Sequence, residues 1–210
     1  MMEELPRRER ERLQHRQEML EAAERLFSQK GYHGTTMQEI ADEAEFSVGA
    51  LYNMFDSKDD LFTQLIEIRA DEYFQTASEK IDAAAGPVEK VRTAIATKLA
   101  FFREHEAFFR IFSEFGTDEC PKPPLTALKA HFVEKYLEYE QKLRGIFQEG
   151  VRQGIFADRD PALMASCLEG VGNALLARWV HLGLQEPWET QSEEIEKIFL
   201  HGVLVRNNGQ

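Results

Sequence analysis

Uncharged residues that can form hydrogen bonds recur at helical spacing after Ser47, in the segment SVGALYNMF. At about 100° per residue, Val48, Gly49, Tyr52 and Asn53 lie on one side of a helix. An asparagine amide can pair with an adenine edge, and hydroxyl groups bond phosphate oxygens. Gly49 has no side chain, so a partner can approach the helix backbone at this position. This side of the helix is therefore suited to contacting a polar partner.

Two N-cap signals place this face on the second of two short helices. Thr36 followed by Glu39 has the spacing of a capping box, and Ser47 can cap the next helix. Apolar residues give each helix a face toward a core: Met37, Ile40, Ala41 and Ala44 on the first, and Ala50, Leu51, Met54 and Phe55 on the second, which we expect over 47–55. The pattern predicts a helix-turn-helix. The alternative is an ordinary helix pair inside an all-α core.

The segment from Gly31 to Leu61 resembles the signature of the TetR family of transcriptional regulators. The matching positions are Gly31, Tyr32, Thr35, Thr36, Ile40, Ala41, Ala44, Ser47, Gly49, Leu51, Tyr52, Phe55, Lys58 and Leu61. The resemblance is close over the first third of the chain. With the architecture, it implies that Thr36, Ser47, Tyr52 and Lys58 contact phosphates, and that Val48, Gly49 and Asn53 face bases.

Two positions depart from the family pattern. The turn between the helices carries Glu45 where the family usually has glycine. A left-handed conformation costs a residue other than glycine about 1–2 kcal/mol, so we expect modest strain or a shifted turn. Val48 stands where many members have a basic or polar residue. It removes one phosphate contact and places an apolar group near a thymine methyl.

The chain is acidic, with a formal net charge of −12 over 210 residues, which argues against DNA binding by charge alone. Residues 1–60 and 61–210 each carry a net charge of −6, but residues 7–16 carry +3. This segment is a candidate basic arm, and a frayed charged terminus is the alternative. The acidic total predicts weak non-specific binding to DNA and strong sensitivity to salt.

Catalytic and metal-binding patterns were not found in the sequence. The six histidines are scattered, no HExxH, P-loop, GxSxG or GxGxxG motif occurs, and Cys120 and Cys167 are isolated. We therefore expect no enzyme activity, metal or cofactor. The charged N-terminus is not a signal peptide, and no apolar run could span a membrane. A cytoplasmic protein without a membrane partner is the expectation.

Hydrophobic periodicity predicts an all-α protein of about nine helices. The expected helices outside the helix-turn-helix are 9–30, 57–79, 87–103, 125–150, 161–184 and one from about Thr190, with a loop at 116–124. We expect a three-helix DNA-binding domain over 1–57, joined to a helical ligand-binding and dimerisation domain over 58–210. Helix 57–79 would connect the two.

Six phenylalanines lie close together at 101, 102, 108, 109, 112 and 115. They either pack a core or line a cavity for an apolar or aromatic small molecule. The candidate ligand-binding residues are Phe102, Phe109, Phe112, Tyr136 and Asn173. Asn173 and Arg178 lie on an otherwise apolar helix, so each should be satisfied by a core partner or by a ligand.

The last two expected helices carry apolar and small residues on more than one side. In the TetR pattern such helices form a four-helix dimer interface, here over 161–184 and 190–205. Finishing the monomer core is the alternative. We expect a homodimeric repressor that binds a palindromic double-stranded DNA operator and is released by an apolar or aromatic inducer. One alternative hypothesis is an all-α carrier or enzyme whose head no longer binds DNA. A second is an activator, or a regulator without a small ligand, which the sequence does not separate from a repressor.

Overall fold

The computed structural model describes residues 6–109, 125–182 and 188–203. These residues form eight α-helices, and residues 106–109 are also helical. The helices are α1 (Arg7–Lys30), α2 (Met37–Glu43), α3 (Val48–Tyr52), α4 (Lys58–Ala83), α5 (Gly86–Glu104), α6 (Leu125–Arg152), α7 (Pro161–Leu182) and α8 (Trp188–Val203). The predicted all-α fold is confirmed.

Local capping signals in the sequence fix where the first helices begin and end. α1 stops at Gly31, whose φ of 71° is available to glycine at little cost. The capping box of α2 is complete: the Glu39 N–H donates to the Thr36 hydroxyl over 3.2 Å, and the Thr36 N–H donates to the Glu39 carboxylate over 2.9 Å. The Ser47 hydroxyl caps α3 by accepting from the Ala50 N–H.

The second helix of the helix-turn-helix is shorter than predicted. α3 ends at Tyr52, and Asn53 and Met54 form a turn. The predicted anchors nevertheless hold it, since Leu51 and Phe55 are both buried. Apolar residues keep helical spacing through Met54 and Phe55, so the pattern alone did not reveal the helix end. The Phe55 N–H still donates to the Leu51 carbonyl.

The chain forms two compact units, and the boundary between them falls within α4, after Arg69. The first unit contains the described residues up to Arg69 and those of 106–128. Its core is built from buried residues of α1 to α4 and of the link after α3: Met19, Leu20, Ala23, Phe27, Ile40, Ala41, Leu51, Phe55, Leu61, Phe62 and Leu65. A nearly buried ion pair between Glu24 and Arg69, 2.8 Å long, also joins α1 to α4.

The second unit comprises the described residues of 70–105 and 129–210. Its buried residues come from α4 to α8 and include Tyr73, Phe74, Ile95, Phe102, Tyr139, Phe147, Leu168 and Phe199. The Ala157 N–H donates to the Val203 carbonyl over 2.7 Å, which fixes the end of α8 against the link before α7. α8 begins at Trp188, two residues before the start predicted near Thr190.

None of the helices in the described ranges has the length and hydrophobicity that a membrane span requires.

Candidate functional site

The exposed face of α3 carries the hydrogen-bonding groups that the sequence placed there. Gly49, Tyr52 and Asn53 are exposed, and Tyr52 keeps 51% of its surface accessible. Val48 is half-buried. Neither the Tyr52 hydroxyl nor the Asn53 amide bonds another side chain in the described part of the chain. Both groups are therefore available to an external partner.

Gly49 keeps this face open. A Cβ built at this position would come no closer than 4.0 Å to any neighbour, the Ser47 hydroxyl. No φ in the left-handed region is recorded for Gly49 either. Because a glycine inside a helix is less favourable than alanine by roughly 0.5–1 kcal/mol, the fold alone does not account for a glycine here.

The hydroxyls of Thr36 and Ser47 differ in what they can still offer. Thr36 is exposed, but its hydroxyl donates to the Glu39 carboxylate over 2.9 Å. Hydrogen bonds from Lys30 and then from Thr36 lower the pKa of Glu39 to about 2, so this acceptor stays ionised at neutral pH. Ser47 only accepts, and its hydroxyl hydrogen has no acceptor among the described residues. The Ser47 hydroxyl, unlike that of Thr36, can therefore still donate a hydrogen bond to an external partner.

Glu45 adopts the left-handed conformation, so of the two outcomes that the family resemblance implied, strain and a shifted turn, strain is the one found. Its φ is 60°, and it is the one non-glycine residue with positive φ in the described ranges. The turn is closed by a hydrogen bond from the Phe46 N–H to the Ala41 carbonyl, 2.9 Å long. The turn therefore keeps its geometry, and Glu45 bears the conformational cost.

Lys58, at the start of α4, holds the first unit together. Its ammonium donates to the backbone carbonyls of Tyr32 and Thr35, each over 2.9 Å, and lies 4.3 Å from the centroid of the Tyr32 ring. Burial lowers the pKa of Lys58, and the charge of Glu39 opposes that shift. Two of its three N–H donors are therefore used within the protein, and one remains for the predicted phosphate contact.

The basic segment 7–16 is helical from Arg7, so the frayed terminus considered for it is wrong. Arg7 pairs with Glu11 over 2.7 Å on the exposed side of α1. Arg16 points inward instead: it donates to Gln64, and its guanidinium lies 5.6 Å from the centroid of the Phe55 ring. Arg16 thereby links α1 to the turn after α3 and to α4.

In the second unit, an aromatic cluster surrounds Tyr73. Its ring stacks on Phe102, with centroids 5.8 Å apart, and packs against Phe74 and Phe101. All four residues are buried. For Phe101 and Phe102, the core-packing interpretation of the phenylalanine series is therefore supported. Phe108 and Phe109, which belong to the first unit, are also buried and contact each other edge to face. Phe112 and Phe115 lie outside the described residues.

The other predicted ligand-binding residues occupy different environments. Tyr136 is half-buried, and its pKa is raised first by burial and then by the charges of Glu169 and Glu140. Asn173 and Arg178 are exposed on α7, so the interpretation that each is a core polar group is wrong. α7 is apolar on several sides, and the sequence did not reveal which of them faces the unit.

A groove of about 510 Å³ runs along α4 and α6. Its floor is formed by the buried rings of Phe74 and Tyr139, and charged side chains such as Lys135 and Lys142 stand at its edge. The volume is within the range of small-molecule sites, roughly 300–1,000 Å³. Among the predicted ligand-binding residues with described side chains, none lines this groove.

A buried ion pair between Lys98 of α5 and Glu169 of α7 was not foreseen from the sequence. The Lys98 ammonium donates to the Glu169 carboxylate over 2.7 Å, and their side chains are only 7% and 8% exposed. Burial lowers the pKa of Lys98, and the charge of Glu169 opposes that shift. The hydroxyls of Tyr73 and Tyr139 are 3.4 Å apart, and the pKa of Tyr139 is raised first by burial and then by the charge of Glu169.

Two family models match the chain in the regions that contain these sites. Residues 19–65 match the model of bacterial regulatory proteins of the tetR family. Residues 84–203 match the tetracyclin repressor-like C-terminal domain. The first match contains the helix-turn-helix with α3, and the second contains α5, α7 and the Lys98–Glu169 pair.

Proteins similar to this chain are described as transcriptional regulators. An uncharacterised HTH-type regulator of Bacillus subtilis, YhgD, is 26% identical over 89% of this chain and 90% of its own length. The repressor KstR2 of Mycobacterium tuberculosis is 25% identical over 67% of this chain and 68% of its own.

Solved structures share the fold. The structure of KstR2, a ketosteroid transcriptional regulator of M. tuberculosis, has a TM-score of 0.75 at 22% identity and covers 91% of this chain and 95% of its own. FadR from B. subtilis, in complex with stearoyl-CoA, has a TM-score of 0.74 at 20% identity, over 89% and 98%. These relatives are regulators and not enzymes. With both family models matched in order, this chain belongs to the TetR family of transcriptional regulators.

Proposed function

We propose that the chain is a homodimeric repressor that binds a palindromic operator through α3 and is released by a small apolar or aromatic ligand. Residues 1–57 would form the DNA-binding domain, and residues 58–210 the ligand-binding and dimerisation domain. The observation that carries the proposal is the exposed α3 face, where the Tyr52 hydroxyl and the Asn53 amide have no side-chain partner among the described residues.

On DNA, α3 would lie in the major groove. Asn53 can pair with adenine through both its donor and its acceptor, and Gly49 would let the helix backbone approach the base edges. Val48 would contact a thymine methyl. Ser47 and Tyr52 would bond phosphates, with Thr36 and Lys58 at the edge of the contact and partly engaged within the protein.

The exposed face of α7 supports a dimer through α7 and α8. Small or uncharged residues occupy exposed positions along almost the whole of this face: Leu163, Ser166, Cys167, Gly170, Asn173, Ala174 and Ala177. Leu163 is 61% exposed, and Ile198 on α8 is 69% exposed. Exposed apolar side chains beside a stripe of small residues support a surface that a second copy covers. A dimer would also present two copies of α3, about 34–36 Å apart on the duplex.

The ligand would bind in the second unit, where the aromatic cluster and the groove over Phe74 and Tyr139 lie. The relatives described as a ketosteroid regulator and as a stearoyl-CoA complex support a ligand with a large apolar body. The ligand would act by binding one conformer of the dimer more tightly than the other, which changes the spacing of the two α3 helices.

A mobility-shift assay on the DNA flanking the protein's own coding region, across a salt series, tests this function. A discrete shift that survives competitor DNA and weakens steeply with salt is the expected result. Absence of any shift at low salt would overturn the proposal and favour the carrier alternative, to be followed by a ligand screen.

A further inference from the structure

The end of α3 must be held by contacts from outside the helix. α3 has five residues, Val48–Tyr52, and a helix this short is marginal on its own. Asn53 lies just beyond it in a turn, although its amide belongs to the proposed DNA-binding face. The direction in which that amide points therefore depends on the contacts that fix residues 53–57, the link between α3 and α4.

Arg16 of α1 contacts this link. Its guanidinium lies 5.6 Å from the centroid of the Phe55 ring, which is buried in the middle of the link. A cation within about 6 Å of a ring face is attracted to it. The same guanidinium donates a hydrogen bond to the side-chain oxygen of Gln64 on α4. Arg16 therefore ties the link to both long helices of the first unit.

Gln64 extends the contact to the start of α4. Its amide nitrogen donates to the two oxygens of the Asp60 carboxylate, over 2.8 and 2.9 Å. Asp60 in turn accepts a hydrogen bond from the Asp56 N–H, over 3.0 Å, and so binds the backbone of the link. We call Arg16, Gln64 and Asp60 the polar chain. It contacts the link at two points, the Phe55 ring and the Asp56 backbone.

The order of donors and acceptors in the polar chain is fixed. An arginine only donates and an ionised carboxylate only accepts, so the residue between them must do both. The Gln64 amide does so, with its oxygen toward Arg16 and its nitrogen toward Asp60. All three side chains are half-buried, where connected hydrogen bonds strengthen one another. A change at any one member should therefore weaken the whole polar chain.

We propose that Arg16, Gln64 and Asp60 are positioning residues for DNA binding, which hold the link so that Asn53 meets the bases in one orientation. They do this without contacting DNA themselves. A link that is not held would have to be ordered when the protein binds, and this ordering lowers affinity. The inference rests on the proposed function, because it concerns the same DNA-binding face.

Binding of the full-length protein to the DNA fragment found by the mobility shift, across a salt series, tests the inference with Arg16→Met and Gln64→Met. Each variant breaks the polar chain, but only Arg16→Met removes a charge. We expect both to lower affinity about tenfold per folded molecule, with the folded fraction taken from urea denaturation. A loss of stability without a loss of affinity would overturn the inference.

Arg25→Met is the matched control, because it removes the same charge from the same helix. Arg25 pairs with Glu43 of α2 on the exposed surface and does not belong to the polar chain. Its affinity should stay within about twofold of wild type, and Arg16→Met should have the same salt slope as this control. A phosphate contact made by Arg16 would instead lower the slope by about 0.9 relative to the control and leave Gln64→Met unaffected, which would overturn the inference.

A rescue experiment tests the order of donors and acceptors. Gln64→Glu can still accept from Arg16 but faces the Asp60 carboxylate, so affinity should fall about tenfold. Adding Asp60→Asn supplies an amide donor toward position 64 and keeps an oxygen for the Asp56 N–H. The double variant should therefore return to within about threefold of wild type. A double variant that binds no better than Gln64→Glu would overturn the inference.

Amide hydrogen exchange without DNA tests the holding of the link separately from operator binding. The Phe55 N–H donates to the Leu51 carbonyl, and the Asp56 N–H donates to Asp60. Both amides should exchange at least tenfold faster in the two variants that break the polar chain, whereas the Ile40 amide of α2 keeps its rate. Unchanged exchange at Phe55 and Asp56 would overturn this inference alone. Faster exchange in a protein whose wild type binds no DNA would contradict the proposed function.

Discussion

Lys58 secures Tyr32 in two ways: its ammonium donates to the Tyr32 carbonyl over 2.9 Å and lies 4.3 Å from the centroid of the Tyr32 ring. A second hydrogen bond reaches the Thr35 carbonyl. The first residue of α4 thereby fixes the link between α1 and α2, just before the helix-turn-helix. The lysine of the family pattern thus organises the domain that presents α3.

Replacing Lys58 should therefore weaken the whole DNA-binding unit. Lys58→Met keeps the aliphatic stem and leaves two carbonyls without a partner, so we expect a loss of about 1–3 kcal/mol in the free energy of unfolding, measured by urea denaturation. Lys30→Met is the control, since it removes only an exposed pair with Glu39. Wild-type stability together with weakened DNA binding would show that Lys58 contacts phosphate and has no structural role.

Gly49→Ala should separate stability from DNA binding. The position has room for a Cβ, so the variant should be as stable as wild type or more stable by up to about 1 kcal/mol. Operator affinity should fall at least tenfold, because the added methyl group keeps the helix from the base edges. Gly145→Ala controls for the gain in helix stability, and unchanged operator binding by Gly49→Ala would remove Gly49 from the interface.

Substitutions at Tyr52 and Asn53 should weaken DNA binding in different ways. Tyr52→Phe removes a hydroxyl assigned to phosphate, so affinity should drop equally for every operator variant. Asn53→Ala should instead relax the preference for adenine at one position, by about 1–3 kcal/mol. Binding to an operator set with single base changes measures both effects. Identical patterns for the two variants would contradict these roles.

The left-handed Glu45 predicts a stabilising substitution. Glu45→Gly should raise the free energy of unfolding by about 1 kcal/mol or more relative to Glu45→Ala, since both remove the charge but only glycine accepts a φ of 60° freely. Chemical denaturation of the two variants gives the difference directly. Equal stabilities would mean that the turn carries no cost at this residue.

The proposed dimer face can be disrupted by one charge. Leu163→Asp places a carboxylate in the exposed stripe of α7, and light scattering after size exclusion should show monomer where wild type is a dimer. Leu137→Asp is the matched control, because Leu137 is 54% exposed on α6 and outside the proposed face. A Leu163→Asp protein that remains dimeric would exclude this face.

Local signals made the first third of the fold predictable from sequence. The caps at Thr36 and Ser47 and the end of α1 at Gly31 depend on neighbouring residues, and each is found as predicted. The strain at Glu45 was one of two outcomes implied by the family resemblance. The burial of Leu51 and Phe55 was predictable from the spacing of apolar residues in this segment.

Long-range partners could not be predicted in the same way. Lys98 and Glu169 are 71 residues apart, and nothing local to either residue indicates the other. The backbone carbonyls that Lys58 contacts could not be predicted, because every residue has a carbonyl group and a pattern of side chains does not show which one is used. The prediction that Asn173 is a core residue was wrong because α7 has apolar or small residues on all sides. Hydrophobic periodicity could not identify the exposed side of this helix.

Hydroxyl-radical footprinting of the wild-type protein on the DNA flanking its coding region tests the central claim most directly. A dimer that presents two α3 helices should protect two half-sites related by two-fold symmetry, with centres about 34–36 Å apart along the duplex. A single protected patch, or uniform cleavage at protein concentrations that saturate the mobility shift, would contradict operator binding by a symmetric pair of helix-turn-helix units.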